Sequence, residues 1–232
     1  MKRVCSRCGR STVSCYKDRK ARARLADKEG FILLLARRER IVNPMAGCEK
    51  VLYAIRPSPN LVKAMKITAP DQALCSDITY IYTGEGFLFL SLMMDMFAHD
   101  IVGRAVSNSL KTEGPLAALA MASRALGPDA KPVAHSDRGC QYNSHAYIEA
   151  LEKLGWKSSM TEGLHCYENA MAERLNGILK YEYFLNTHFK TKAEAMKAIE
   201  EAIRVYNTRR LHESLGFKTP KAFREEAMRK AA

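Results

Sequence analysis

Little in this sequence would place it in a membrane or on a secretory route. No apolar stretch among its 232 residues approaches the roughly 20 needed to span a bilayer. The N-terminal MKRVCSRCGR is basic and has no apolar segment of the kind a secretory leader carries. The seven cysteines are odd in number and unevenly spaced, which argues against a disulfide framework. Reduced thiols and a cytoplasmic location are therefore expected. Cys5 and Cys8 form a C-x2-C pair that only Cys15 and Cys48 could complete. Without a second knuckle of similar spacing, structural zinc is not supported. Acids are the scarcer charge, with 25 Asp+Glu against 37 Lys+Arg and a net charge of +12. That surplus favours a polyanionic partner, chiefly nucleic acid or an acidic membrane surface. Many ribosomal and housekeeping proteins are as basic, so charge alone leaves an enzyme acting on DNA a minority reading.

What is present suffices for one domain of ordinary size and a small appendage. Hydrophobic residues make up 47% and charged residues 27%, so a packed core is expected. Residues 1–57 are basic and helix-patterned, with a charge run at KDRKARAR. Pro57-Ser58-Pro59-Asn60 opens a linker over 58–73. From residue 74 to 226 the pattern is that of one domain. CSDITYIY (75–82) alternates, with Asp77, Thr79 and Ile81 on one face. FLFLSLMM (87–94) is a continuous apolar run of the length that suits a strand buried on both faces. IVGRAV (101–106) follows, and the three read as an antiparallel meander. A helix over 114–126, a strand at PVAH, and a helix capped by Ser144 and stopped by Gly155 come next. A loop over 158–165 leads to a long helix over 168–184. Thr191 and Glu194 form a capping box for another helix, in which Met196, Ile199, Ile203 and Tyr206 recur at helical spacing. The order predicts an α/β fold, a mixed sheet flanked by helices.

Three acids stand out by position. Asp77 lies in the first strand. Asp137 follows the fourth strand in HSDRG, where Gly139 is expected to supply an unusual backbone angle. Glu173 lies inside the long helix. Residues 78 to 136 separate the first pair, a gap of 59, and residues 138 to 172 the second, a gap of 35. Taken singly, a strand-end Asp is usually a turn former and a helical Glu a solvated charge. Asp95 and Asp100, which flank the second hairpin, are read as structural in this way. Taken together, two strand-end aspartates and a helical acid can hold a pair of divalent ions, the arrangement that activates one oxygen and stabilises another in phosphodiester chemistry. Magnesium prefers such hard oxygen ligands. Asn169, Glu173, Asn176 and Lys180 share one face of the long helix, opposite an apolar stripe of Met171, Leu175, Ile178 and Leu179. The polar face is either solvated or turned to DNA, with Lys180 on a phosphate.

SDITYI, HSDRGCQY, ENAMAERLNGILKYE and YNTRRLHESLGFKTP, in that order, closely resemble the OrfB-type transposases of bacterial insertion sequences (insertion-sequence family three). These belong to the retroviral-integrase-like superfamily with its D, D(35)E motif. The resemblance implies a ribonuclease-H-like core and a Mg2+ or Mn2+ cofactor, with two ions held by Asp77, Asp137 and Glu173. It implies cutting at element terminal repeats and joining of those ends to target DNA. It implies that Lys180 contacts the terminal nucleotides and that the chain works as a homo-oligomer on DNA, with an upstream OrfA partner or as a fusion to one. In the C-terminal block, packing is expected for Tyr206 and Pro220, and DNA contact for Arg209 and Arg210. The leader is similar to the family's short, helix-turn-helix-like N-terminal region. Two departures concern activity. The segment between leader and core is short, and Leu74 stands where the family commonly has Trp, a large-to-small change of order 1–3 kcal/mol in the core.

Three other functions use the same residues differently. A tyrosine recombinase would use Tyr206 as nucleophile with Arg209, Arg210 and His212, although these crowd into one segment. A metal-dependent nuclease would carry the same triad but cut without joining. A decayed copy would bind DNA as a transposition regulator.

Overall fold

The computed structural model describes residues 58–161 and 169–231. The helical region expected over 1–57, with its four cysteines, and residues 162–168 lie outside them. Five strands form one mixed sheet: β1 (Ala73–Ile81), β2 (Leu88–Asp95), β3 (Ile101–Ser107), β4 (Val133–Ser136) and β5 (Lys157–Met160). Their spatial order is β3-β2-β1-β4-β5. The first three pair antiparallel, as the short turns between them require, and β4 and β5 add in parallel. Five α-helices follow, α1 (Glu113–Leu126), α2 (His145–Leu154), α3 (Ala170–Tyr181), α4 (Lys192–Thr208) and α5 (Pro220–Ala231), with short 3-10 turns at Val62–Ala64 and Glu213–Leu215.

The sheet is covered on both faces. Cys75, Ile81, Leu90, Leu92 and Met94 pack with Leu175 and Leu179 of α3 and Ile199, Ile203 and Tyr206 of α4. On the other face Leu74, Met93 and Ala134 pack with α1, α2 and Trp156. Burial on both faces explains why β2 is nearly continuous in apolar residues. Leu74 is fully buried, so the position where the family commonly has Trp is an interior one in this chain.

Several local expectations hold. Ser144 Oγ accepts the Tyr147 N–H at the start of α2, and Gly155 ends that helix in the left-handed conformation, φ 70°. Thr191 caps α4 by accepting the Glu194 N–H, while the Glu194 carboxylate accepts the N–H of Lys190. Asp95 is structural: its carboxylate accepts the backbone N–H groups of Asp71, Phe97 and Ala98. Tyr206 is 1% exposed, its hydroxyl against Met94 Sδ at 3.6 Å, and Pro220 opens α5 as its first residue.

Other expectations are corrected. The segment 158–160, read as loop, belongs to strand β5, which pairs with β4. Its sequence KSSM is too short and polar to show a strand pattern, and the pairing comes from tertiary context. Residues 58–61, read as linker, run beside that strand, with Leu61 N–H donating to Ser159 Oγ at 2.9 Å and Met160 N–H to Pro59 O at 3.3 Å. Met196 is 46% exposed; Ala195 and Ala202 take the buried positions of α4 instead. Among the described residues, no helix is long and apolar enough to cross a membrane.

Candidate active site

Register brings the two aspartates together. The last registered pair of the parallel β1–β4 ladder is Ser76 with Ser136. Asp77 and Asp137 each follow by one residue, on strands that neighbour at about 4.8 Å. Helix α3 packs across the same face of the sheet and carries Glu173 in its first turn. Asp77 is half-buried, whereas Asp137 and Glu173 are exposed. Burial raises the Asp77 carboxyl to about 6, and the nearby charges of Asp137 and Glu173 add to the rise. Two hydrogen bonds oppose it, the Ile78 N–H to Oδ1 at 2.8 Å and the Asn176 amide to Oδ2 at 2.7 Å. Asp137 and Glu173 are thus within electrostatic reach of Asp77, although no three His, Cys, Asp or Glu side chains among the described residues are already gathered to hold a metal ion.

Asp137 is held by its own turn, in which Oδ1 accepts the Gly139 N–H at 2.9 Å. Gly139 is not in the left-handed conformation, so its expected backbone role is corrected to a steric one. A Cβ there would sit 2.9 Å from Asp137 Oδ1 and 3.2 Å from Gln141 Oε1. Arg138 Nε donates to Thr161 O, which fastens the turn to the end of β5.

The remaining residues expected at DNA divide. Asn169 is 6% exposed and turns inward, its amide donating to Ser76 O at 3.4 Å. Asn176 faces Asp77, as above. Lys180 sits in the last turn of α3, about 10 Å along the axis from Glu173. Arg209 is exposed at the end of α4. Arg210 forms a bidentate pair with Glu182, 2.8 and 2.7 Å, which ties the segment after α4 to the end of α3. Sequence reasoning passed over Arg174, which directly follows Glu173, is exposed, and makes no ion pair among the described residues. Nothing in a single sequence distinguishes it from other helical arginines.

The donor set fits a hard divalent cation. Asp137 and Glu173 both bear electrostatically on Asp77, and the buried Oδ1 atoms of Asn169 and Asn176 have no hydrogen-bond partner among the described residues. Such acceptors beside Asp77 suit the water shell that magnesium retains. Tyr206, by contrast, lies buried against Met94 and cannot present its hydroxyl to DNA as a recombinase nucleophile.

A five-stranded mixed sheet with one aspartate inside its central strand, a second just past the neighbouring parallel strand and an acid on the covering helix defines a ribonuclease-H-like core of the integrase kind. Comparisons with known proteins agree. The chain matches the integrase core domain over residues 67–166 and a second integrase core domain family over 154–220. Its fold is similar to the HTLV-2 integrase catalytic core domain, solved in complex with magnesium, at TM-score 0.53 and 18% identity over 68% of this chain and 99% of that one. It is also similar to a chain of the simian T-cell lymphotropic virus intasome, solved with PP2A regulatory subunit B56 gamma, at TM-score 0.57 and 17% identity over 82% and 74%. Among curated proteins it is 37% identical over 167 residues to the transposase for insertion sequence element IS904 of Lactococcus lactis, covering 71% of this chain and 66% of that one. A transposase-like protein of Haemophilus influenzae is 31% identical over 161 residues, covering 69% and 74%. The chain belongs to the insertion-sequence transposases with an integrase-type core. It spans about two thirds of the Lactococcus protein and 53% of the IS629 transposase of Shigella sonnei.

Proposed function

We propose that the chain catalyses metal-dependent cleavage of DNA at insertion-sequence ends and transfer of those ends into target DNA, with Asp77, Asp137 and Glu173 as its catalytic acids. One observation carries the reading. Asp77, in the middle of β1, and Asp137, just past β4, both follow directly on the last registered pair of the parallel β1–β4 ladder, and Glu173 on α3 is close enough to perturb Asp77. The three acids would hold two Mg2+ or Mn2+ ions, which when bound supply Lewis-acid stabilisation of charge on the reacting phosphate oxygens. Water, or a DNA 3′-hydroxyl, attacks phosphorus in line and the opposite P–O bond breaks, so no covalent protein–DNA adduct forms.

The chain's own residues position this chemistry. Asn176 orients Asp77, the Asp137 turn is fixed by Gly139 N–H, and the partly buried setting excludes bulk water from Asp77. Lys180 and Arg209 lie where they can contact DNA phosphates. Joining two ends requires at least two copies, and a homo-oligomer on DNA is part of the proposal, as is an upstream OrfA product supplied separately or as a fusion. The proposed domain division is 1–57 for a basic, helix-turn-helix-like leader, 58–73 for the segment that connects it to the core, the first residues of which run beside β5 and the last of which opens β1, and 74–226 for the core.

The test is a labelled duplex ending in the element's terminal repeat, incubated with Mg2+, Mn2+ or EDTA beside Asp137→Asn. Metal-dependent nicking and joined products, both lost in the variant, are expected. Cutting without joining would assign a nuclease instead. Binding without chemistry in any metal would leave a DNA-binding regulator.

A further inference from the structure

Beside α3, bounded by the end of α4 and the turn 210–217, lies a cavity of about 760 Å3. Its floor is apolar, with Met171 and Tyr206 among its walls. Three features set it apart from an ordinary surface groove. Phe217 lines it at 68% exposure with φ 58°, and His99 lines it with φ 62°. Left-handed backbone is unusual for residues with a Cβ, and two such residues at one cavity point to a ligand clamp. His212, only 7% exposed, lines it with its buried Nε2 lacking a partner among the described residues. Finally, Arg174 lines it without an ion pair among the described residues, one position from Glu173.

We propose that this cavity receives an unpaired nucleotide of the DNA substrate, with the base against Phe217 and the apolar floor and its phosphate on Arg174. The inference rests on the strand-transfer reading, which supplies DNA as the ligand. The volume lies within the range of sites that enclose a small ligand. An exposed aromatic ring is a sequence-tolerant platform for a base, and a guanidinium with no ion pair among the described residues matches a phosphate. A stacked, paired base has neither face free for such a wall, so the nucleotide must be one that has left the duplex. A purely apolar peptide would leave Arg174 unanswered.

The test uses the full chain in EDTA and two fluorescent duplexes of one sequence, the first fully paired and the second with a few unpaired 3′-terminal nucleotides. Anisotropy is expected to show preference for the frayed duplex by about tenfold, the worth of one stacked base. Phe217→Gly suits the left-handed backbone, so its thermal melt should match or exceed the wild type while the preference disappears. Arg174→Ala should also erase the preference. Equal affinity of the wild type for both duplexes, or a preference that survives Phe217→Gly, overturns the proposal. So does a loss of paired-duplex binding in that variant, which would make Phe217 a general docking residue. A change in oligomeric mass with unaltered DNA preference would assign the cavity to a second copy. Failure to bind either duplex would sink the DNA reading as well, whereas metal-dependent nicking without a preference for frayed ends would remove the cavity alone.

Discussion

Asp77 owes its orientation to a contact one helical turn beyond Glu173, where Asn176 donates its amide to Asp77 Oδ2 at 2.7 Å. Removing a partner that orients a ligating carboxylate typically costs 10–100-fold in metal affinity or activity. Asn176→Ala is therefore expected to slow cleavage by about that factor and to raise the Mg2+ concentration needed for half-maximal rate, with little change in melting temperature. An unchanged Mg2+ requirement would remove Asn176 from the positioning role. His212 yields a stability prediction. Burial lowers its imidazole to about 4, with the charges of Arg210, His99 and Arg174 contributing and Glu182 opposing. The unfolded chain then binds the extra proton between about 6.5 and 4, so this group's share of stability is complete above 6.5 and is lost as pH falls toward 4. Asp100, raised to about 6 by burial, acts with the opposite sign over a similar window. The measurement must therefore be a difference: the denaturation midpoint of wild type minus that of His212→Gln should shrink between pH 7 and pH 5. A constant difference would contradict the assignment. At this scale the elements that carry the three acids were legible, Asp77 in a strand, Asp137 just past one and Glu173 in a helix, because strand and helix periods follow from spacing. The inward turn of Asn169 and Asn176 was not, since a polar helix face looks alike whether it meets DNA or a neighbouring strand.

Among the elements, the contact of β3 with α1 depends most sharply on one residue. A Cβ at Gly103 would lie 2.3 Å from Ala118 O and 2.9 Å from Ala122 Cβ. Backbone cannot yield as a flexible side chain does, so Gly103→Ala must push α1 off the sheet. Overpacking of this kind typically costs about 1–3 kcal/mol, and urea denaturation should show it as a lower midpoint. Gly114→Ala makes a useful comparison, because its nearest atom is the Ser91 hydroxyl at 2.8 Å; a larger loss at Gly114 than at Gly103 would contradict the reasoning. The sequence pattern does not reveal Gly103, which sits inside an ordinary strand signature. It does reveal the meander, the α2 caps and the capping box, because each rests on a local rule. It misses β5, whose KSSM acquires strand character only beside β4. It also assigns Met196 to the buried stripe of α4, since alanines carry no weight in a hydrophobic pattern although Ala195 and Ala202 are the residues packed inside.

For the whole molecule, the charge of +12 matters less than which cations are free to meet a polyanion. Arg210 is held in a bidentate pair with Glu182, and Arg224 is enclosed by Asp71, Asp95 and Asp100. Such cations are already neutralised and release few counterions from DNA. Lys180 and Arg209 have no carboxylate partner among the described residues, and Lys180 lies on the α3 face that carries Glu173. Each phosphate contact steepens the dependence of log affinity on log salt by about 0.9. Lys180→Ala and Arg209→Ala should therefore each flatten the slope by about that amount on a nonspecific duplex, whereas Arg210→Ala should leave the slope nearly unchanged and instead lower the melting temperature. The contrast separates electrostatic docking from internal pairing with one titration series. A flattened slope for Arg210→Ala, with none for Lys180→Ala, would move the DNA path from the face of α3 to the segment that follows α4.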